Sequence, residues 1–252
     1  MHKVFRGFLR KFVLVFLDDI LVYSRATEEH IKHLLCVLST LKAHKLHAKR
    51  NKCCFGVDKV SYRGHVISFD GVEVSPSKIE CMVKWLRPNS PTKLRGFQGL
   101  TGYFRKFVQD YGKLARPLTR LLKKGAWGWN PEVEDAFQRL KEVLTSTLVL
   151  ALLDFSYPFE LECDALGAGI GTILSQLGRS IAFFSQALNP ANTAKSTYDK
   201  ELLAVVTAIQ RWRQYLLGQQ FVVKSDHQSL GYLLKSRITT LYQQRLLSKI
   251  MG

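Results

Sequence analysis

The stretch that decides the local fold near the N-terminus is Phe12-Val-Leu-Val-Phe-Leu-Asp-Asp-Ile-Leu-Val-Tyr23, which is apolar except for Asp18 and Asp19. Apolar runs of strand length flank the pair, which predicts a tight hairpin with both carboxylates at its bend. An ionised carboxylate against an apolar sheet is unfavourable unless a cation pairs with it, and Mg²⁺ prefers oxygen ligands. A metal site is one interpretation; a solvated turn is the other, because Asp is a common turn residue.

The chain is strongly and unevenly basic. It has 252 residues and a net charge of +17; residues 1–150 contain 27 Lys/Arg against 13 Asp/Glu, whereas residues 151–252 contain 10 against 7. Between Lys84 and Lys124 lie eleven basic residues and a single acid, Asp110. This charge density predicts a polyanionic partner, most simply nucleic acid. The alternative is a basic solvated face without a partner.

Composition also bounds the class of protein. The hydrophobic content of 46% supports a folded core. No apolar run reaches the roughly twenty residues that cross a bilayer, so no membrane partner is expected. The five cysteines show no even framework, and no secretory signal is visible. We therefore expect an intracellular protein, in the cytoplasm or the nucleus, that is not secreted.

Helical patterns occupy the middle of the chain. Thr27 is a candidate cap for a helix whose apolar residues recur at helical spacing from Ile31 to Leu41. A strand over residues 60–68 and a second strand at 72–74 come next. Three further helices are then expected, because a capping residue precedes a proline at three positions: Ser75-Pro76, Ser90-Pro91 and Asn130-Pro131.

The last hundred residues read as an α/β domain. Strands are expected at 159–164, 169–175, 181–185 and 221–226, with a long helix from about Tyr198 to Leu217 and another from about Gln228.

Three acids in this domain occupy unusual places. Asp164 ends the first strand, Glu201 lies in an otherwise apolar helix, and Asp226 ends the last strand. If the two strands are neighbours and the helix packs across them, the carboxylates converge. Such a set can hold two Mg²⁺ ions for phosphodiester cleavage. Alternatively, Glu201 favours its helix N-terminus and the two Asp residues cap turns.

A series of motifs resembles a known family. Phe16-Leu-Asp-Asp-Ile-Leu-Val-Tyr-Ser24 resembles the polymerase motif, usually Tyr-x-Asp-Asp, of reverse transcriptases from gypsy-class LTR retrotransposons. The resemblance continues in the family's order through the Lys-x-x-Lys-Cys-x-Phe segment, the primer grip, the thumb signature and three ribonuclease H motifs. These segments are 49–55, 62–68, 94–107, 164–171, 198–205 and 225–230.

The resemblance implies an α+β and α/β fold in three parts. Residues 1–74 would be the C-terminal part of a polymerase palm, residues 75–148 the thumb and connection helices, and residues 149–252 a C-terminally truncated ribonuclease H-like domain. It also implies two activities, RNA-directed DNA polymerisation and cleavage of the RNA strand of an RNA–DNA hybrid. The cofactor would be Mg²⁺, with Mn²⁺ as the alternative.

Residue roles follow from the same resemblance. Asp18 and Asp19 would hold metal for polymerisation, and Asp164, Glu201 and Asp226 would hold it for ribonuclease H cleavage. Gly64 would touch the primer strand of a primer–template duplex. The block from Lys84 to Lys124 would grip phosphates in a sequence-independent, salt-sensitive way. The residues expected to do so are Lys93, Arg95, Arg105 and Lys106.

Several positions depart from the family pattern. Phe16 replaces the usual Tyr, Arg63 the usual Leu of the primer grip, and Leu166 the usual Ser of the nuclease motif. The chain starts close to Asp18 and stops at Gly252, so the fingers, one metal-binding palm strand and the last ribonuclease H segment are expected to be missing. We therefore expect no primer extension and weak or absent nuclease activity from this chain alone. The alternative function is a non-catalytic nucleic-acid-binding remnant of a decayed retroelement.

Overall fold

A computed structural model describes residues 1–146, 149–165, 167, 169–225, 242–244, 246 and 248. The chain divides into two compact units, the first being Met1–Arg63 and the second beginning at Gly64. Within the described residues, no helix is both long enough and apolar enough to span a membrane.

The first unit is built on the expected hairpin. Its elements are β1 (Val13–Phe16), β2 (Asp19–Val22), α1 (Thr27–Ala43) and β3 (Lys59–Tyr62). β1 and β2 pair antiparallel, with Phe16 opposite Asp19 at the closed end. The buried core of the unit consists of Phe5, Val13, Val15, Val37 and Leu41.

Helix α1 differs from the expectation in two respects. Ala26, not Thr27, is the N-cap residue, and its side chain makes no capping hydrogen bond. The buried face contains Val37 and Leu41, whereas Ile31, Leu35 and Leu38 are 45% to 60% exposed. The apolar spacing predicts the helix correctly, but the face that packs is set by the hairpin and not by the number of apolar residues.

The strand expected over residues 60–68 is interrupted. Arg63 and Gly64 both have left-handed backbone conformations, with φ of 52° and 74°. Two consecutive residues with positive φ form a tight turn, which ends β3 at Tyr62 and lets a new strand begin at His65.

The second unit contains a β-hairpin, a helical block and a four-stranded sheet. The hairpin is β4 (His65–Ser68) and β5 (Gly71–Val74). We define the helical block as residues 76–145, which contain α2 (Pro76–Val83), α3 (Pro91–Tyr103), α4 (Tyr111–Leu114), α5 (Arg116–Arg120) and α6 (Pro131–Thr145). The remaining elements are β6 (Phe159–Asp164), β7 (Gly169–Gln176), β8 (Arg179–Ala187), α7 (Pro190–Thr193), α8 (Thr197–Arg211), α9 (Arg213–Leu216) and β9 (Phe221–Ser225).

Three helices of the block begin at the prolines that the sequence indicates. The Ser90 hydroxyl accepts a hydrogen bond from the backbone N–H of Lys93 at 3.4 Å, and the Asn130 side chain accepts one from Val133 at 2.9 Å. Ser75 does not cap α2, because its hydroxyl is paired with that of Ser77 at 3.1 Å. Two of the three predicted caps are therefore present.

The four-stranded sheet has the order β8-β7-β6-β9. β6 pairs antiparallel with β7 and parallel with β9, and β7 pairs antiparallel with β8. Residues of α8 pack on one face of the sheet in a core that includes Leu161, Cys163 and Ala204. The expected α/β arrangement is confirmed, although the long helix is divided at Trp212 into α8 and α9. The helix expected from Gln228 lies outside the described residues.

The sheet and the helical block share buried residues. Phe183 of β8 lies in one cluster with Phe104, Phe107 and Leu144. In addition, Val72 of β5 and Leu150 form an antiparallel bridge. The second unit therefore has a continuous interior from the hairpin through the helical block to the sheet.

Candidate functional site

The first carboxylate pair lies at the tip of the β1–β2 hairpin. Leu17 and Asp18 form the two-residue turn, with Leu17 in a left-handed conformation (φ 50°), and Asp19 begins β2. Both carboxylates are exposed. The sequence argument for a compensating cation assumed that the two carboxylates are buried against an apolar sheet. They are not buried, because both lie at the solvent-exposed closed end of the hairpin.

Two aromatic residues, Phe16 and Tyr62, lie close to the Asp18–Asp19 pair. The Arg63 guanidinium lies over the ring of Phe16, with its Cζ 3.2 Å from the ring centroid. Burial and the Asp19 carboxylate raise the pKa of Tyr62, and the neighbouring Arg63 opposes this shift. The hairpin tip is thus flanked by a cation and a phenol from the end of β3.

Gly64 begins the second unit. Its carbonyl accepts a hydrogen bond from the backbone N–H of Ser75 at 3.0 Å. A Cβ at this position would lie 3.6 Å from Phe104 Cζ and 3.7 Å from Lys78 Cε, which is ordinary contact. The left-handed φ, and not lack of space, is therefore what favours glycine here.

The second carboxylate set is centred on Glu201. This residue lies in α8, and only 5% of its surface is exposed. Its Oε1 accepts a hydrogen bond from the backbone N–H of Ala165 at 3.0 Å, and its Oε2 accepts one from the Ser225 hydroxyl at 3.3 Å. Glu201 thus contacts both strand ends. The N-terminus of α8 is capped by Ser196, whose hydroxyl accepts from the N–H of Asp199 at 3.1 Å, and not by Glu201.

The strand ends that Glu201 joins carry the other two acids. Asp164 is the last residue of β6, half-buried, and lies opposite Gly171 of β7. The parallel pairing of β6 with β9 places Cys163 opposite Ser225, the residue before Asp226. Asp226 itself, like Leu166, lies outside the described residues. Among the residues that are described, no three His, Cys, Asp or Glu side chains are grouped as a metal site would need.

Cys163 lies next to Asp164 in β6, but its thiol is not expected to ionise in the folded chain. It is buried in the core between the sheet and α8. Burial, followed by the Glu201 and Glu162 carboxylates, raises the pKa of Cys163 to about 12. The thiol therefore stays protonated and acts as a packing group, like the small apolar residues around it.

Some basic residues of the helical block are paired with carboxylates and others are not. Four are paired with carboxylates: Lys84 with Glu80, Arg87 with Glu134, Lys113 with Asp110, and Arg120 with Glu132. Lys93, Arg95 and Arg105 are exposed and have no ion-pair partner anywhere in the described part of the chain. Lys106 is half-buried, with its ammonium 5.0 Å from the Phe107 ring centroid. Three of the four expected phosphate-binding residues are thus uncompensated cations on the surface.

Sequence reasoning missed two polar contacts of the segment around α4. The backbone N–H of Gly112 donates to the Ser185 hydroxyl of β8 at 2.7 Å, which joins the block to the sheet, and within the block Asp110 pairs with Lys113 at 3.1 Å. The one available signal was that Asp110 is the sole acid in a basic run.

Two family models match this chain. Residues 1–67 match the reverse transcriptase (RNA-dependent DNA polymerase) family, and residues 129–223 match the RNase H-like domain found in reverse transcriptase. The Pol polyproteins of transposons 297 and gypsy from Drosophila melanogaster are 37% and 32% identical to 92% and 99% of the chain. The chain spans only 22% and 26% of the length of those two polyproteins.

Solved structures share the fold. The foamy viral protease-reverse transcriptase (dRH) in complex with double-stranded DNA superposes with a TM-score of 0.88 and 19% identity, covering 100% of this chain and 46% of that one. The same viral protein in complex with an RNA/DNA hybrid gives a TM-score of 0.83 and 19% identity, covering 99% of this chain and 35% of that one. The α/β architecture expected from the sequence is therefore that of a reverse transcriptase joined to a ribonuclease H-like domain.

Proposed function

Because this chain belongs to the reverse transcriptase and ribonuclease H family of retrotransposon Pol polyproteins, we propose that it holds an RNA–DNA hybrid and cleaves its RNA strand. Residues 1–74 are assigned to the palm, residues 75–148 to the thumb and connection, and residues 149–252 to the ribonuclease H-like domain. DNA polymerisation is assigned to the longer polyprotein, since the chain spans 22% to 26% of these relatives. Asp18 and Asp19 would act there, on a primer–template duplex that Gly64 approaches, together with segments beyond these residues.

The burial of Glu201 is the observation that carries the nuclease function. Removing a carboxylate from water is unfavourable, and an apolar residue of similar size is often as stable at such a position. Glu201 nevertheless has only 5% of its surface exposed, and it joins the ends of the two strands that carry Asp164 and precede Asp226. A buried acid that connects two strand ends is well suited to a reaction that needs fixed negative charge.

The donor set fits a hard divalent cation. Carboxylate oxygens are the ligands that Mg²⁺ and Mn²⁺ prefer. Asp164, Glu201 and Asp226 would hold the ion, while the N–H of Ala165 and the Ser225 hydroxyl orient the Glu201 carboxylate. When bound, the metal would activate a water molecule and stabilise the leaving oxygen of the phosphodiester.

The helical block supplies the binding surface in this proposal. Lys93, Arg95 and Arg105 are exposed cations whose charge no described carboxylate compensates. Such residues bind backbone phosphates without regard to base sequence, and this binding weakens as salt rises. Lys106 is included as a fourth contact, because it directly follows Arg105 in the chain.

The proposal is tested with the purified 252-residue chain and a hybrid whose RNA strand is end-labelled. We expect weak Mg²⁺-dependent cleavage that Glu201→Gln, Asp164→Asn and Asp226→Asn each reduce to background, with hybrid affinity retained. Glu80→Gln is the matched control, because it removes a carboxylate from the exposed surface of α2.

Cleavage by Glu201→Gln at the parental rate would overturn the assignment of the nuclease site. Tight hybrid binding by the parent, without cleavage at any Mg²⁺ or Mn²⁺ concentration, would instead favour the non-catalytic remnant.

A further inference from the structure

Asp164 ends β6 on the face of the sheet turned away from α8, so it can share an ion with Glu201 only at the end of that strand, where Glu201 accepts from the Ala165 N–H. Leu161 and Cys163 of β6 point into the core with α8. Because side chains alternate along a strand, Glu162 and Asp164 belong to the opposite face. Gly171 lies directly opposite Asp164 in the antiparallel pair of β6 and β7, so it belongs to the Asp164 face as well.

A segment of the helical block covers this face next to Asp164. A Cβ placed on Gly171 would lie 3.4 Å from Oδ1 of Asp110, and one placed on Gly169 would lie 3.9 Å from Cγ of Lys113. Directly opposed Cβ positions are about 5 Å apart, which places the Asp110 carboxylate within about 9 Å of the Asp164 Cβ. Two charged side chains from outside the ribonuclease H-like sheet therefore lie beside the proposed nuclease site.

The segment is fixed to the sheet by its backbone. The N–H of Gly112 donates to the Ser185 hydroxyl at 2.7 Å, and a Cβ on Gly112 would be only 3.1 Å from the Ser185 carbonyl oxygen. Ser185 lies opposite Gly171 in β8, on the same face. The positions of Asp110 and Lys113 are thus set by close packing of α4 on β8.

Stability does not explain the Asp110–Lys113 pair. Its two side chains are 39% and 42% exposed, and exposed ion pairs contribute little to folding. Asp110 also has a left-handed backbone conformation (φ 56°) and does not cap α4, although it occupies the N-cap position. Its carboxylate instead accepts from the Lys113 ammonium at 3.1 Å, which leaves donors of that ammonium for another acceptor.

We propose that Lys113, oriented by Asp110, contacts a backbone phosphate of the hybrid beside Asp164, so that the helical block supplies a substrate-positioning residue to the nuclease site. This inference rests on the proposed function. Fixed carboxylates repel the phosphates of the strand to be cut, and an ammonium on the same face offsets that repulsion where the strand must lie. The contact would also fix the register between the duplex on the helical block and the strand on the sheet.

The test measures hybrid binding by fluorescence anisotropy with the complete chain and without divalent metal, so that it does not depend on cleavage. Lys113→Gln should lower the slope of log affinity against log salt by up to about 0.9, the value of one phosphate contact. Lys113→Arg should restore the parental slope. Lys84→Gln is the matched control, since Lys84 is also an ion-paired surface lysine of the helical block.

Single methylphosphonate substitutions along the hybrid locate the contact. We expect one phosphate at which the parent and Lys84→Gln lose affinity and Lys113→Gln does not. If Lys113→Gln and Lys84→Gln behave alike in slope and at every phosphate, the inference is wrong, while the proposed function stands. If the parent does not bind the hybrid at all, both are wrong. Unchanged thermal unfolding of Lys113→Gln shows that the comparison is made between folded proteins.

Discussion

The Arg63 guanidinium lies on the face of the Phe16 ring, with its Cζ 3.2 Å from the ring centroid. By the resemblance described for the sequence, Tyr would be usual at the position of Phe16 and Leu at the position of Arg63. They are far apart in the sequence but pack together beside the hairpin tip that carries Asp18 and Asp19. The two departures therefore form one structural unit, in which an aromatic face without a hydroxyl is covered by a cation.

A double-mutant cycle tests this relationship. We expect Phe16→Leu and Arg63→Leu each to lower the free energy of unfolding, with a coupling energy of about 0.5–1 kcal/mol, as for cation–π pairs at exposed sites. Urea denaturation of the parent, the two single variants and the double variant gives the coupling directly. Strictly additive single effects would show that the contact contributes nothing.

Charge removal on the helical block tests which cations bind the duplex. The triple variant Lys93→Gln, Arg95→Gln, Arg105→Gln should lower the salt slope of hybrid binding by up to about 3, at about 0.9 for each phosphate contact. Its control is Lys84→Gln, Arg87→Gln, Arg120→Gln, which removes the same net charge from cations that are paired with carboxylates. Equal slopes for the two triple variants would mean that net charge, and not these three residues, determines binding.

Adding a methyl group at Gly112 tests the contact between the block and the sheet. A Cβ there would be 3.1 Å from the backbone carbon and oxygen of Ser185, so Gly112→Ala should lower the free energy of unfolding by about 1–3 kcal/mol. Gly99→Ala is the control: a Cβ at this exposed position in α3 meets nothing within 4 Å. It should stabilise by about 0.5–1 kcal/mol through helix propensity. A stabilised Gly112→Ala variant, measured by urea denaturation, would contradict the packing.

The buried thiol of Cys163 predicts a loss of stability at alkaline pH. Burial and nearby carboxylates raise its pKa to about 12 in the folded chain, whereas an unfolded cysteine titrates at about 8.5. The stabilisation that the protonated Cys163 thiol gives to the folded chain is therefore fully present below about pH 8.5. It is lost as pH rises towards 12, because over this range only the unfolded state gives up the proton.

Urea denaturation between pH 8 and pH 10 checks this prediction. The parent should lose about 1–2 kcal/mol more stability over this range than Cys163→Ala, whose site cannot ionise. Tyrosines with raised pKa are present in both proteins and cancel in the comparison. Parallel pH profiles for the two proteins would show that the thiol ionises equally in both states.

Local sequence patterns were sufficient for most elements of the fold. The apolar runs around Asp18 and Asp19 predicted the hairpin, and prolines preceded by Ser or Asn marked the starts of three helices, because both signals act over a few residues. The prediction of one continuous strand over residues 60–68 was wrong, because the chain turns at Arg63 and Gly64. A left-handed Arg is uncommon, so this turn had no strong local signal.

Packing between elements was less predictable. Helical spacing from Ile31 to Leu41 identified α1, but Ile31, Leu35 and Leu38 are exposed while Val37 and Leu41 are buried. Which side of an apolar helix is covered depends on the position of the hairpin that packs against it, and that position is not encoded within the helix.

By itself, the sequence determined the family, the α/β class and the residue types of the candidate nuclease site, since each depends on local patterns of acids and apolar residues. Only the tertiary structure placed Glu201 between the ends of β6 and β9, paired Arg63 with Phe16, and set Lys113 on the face of the sheet that carries Asp164. These relationships join residues that are tens of positions apart, and their distances follow from strand register and close packing. Strand register and close packing cannot be read from residues that are neighbours only along the chain.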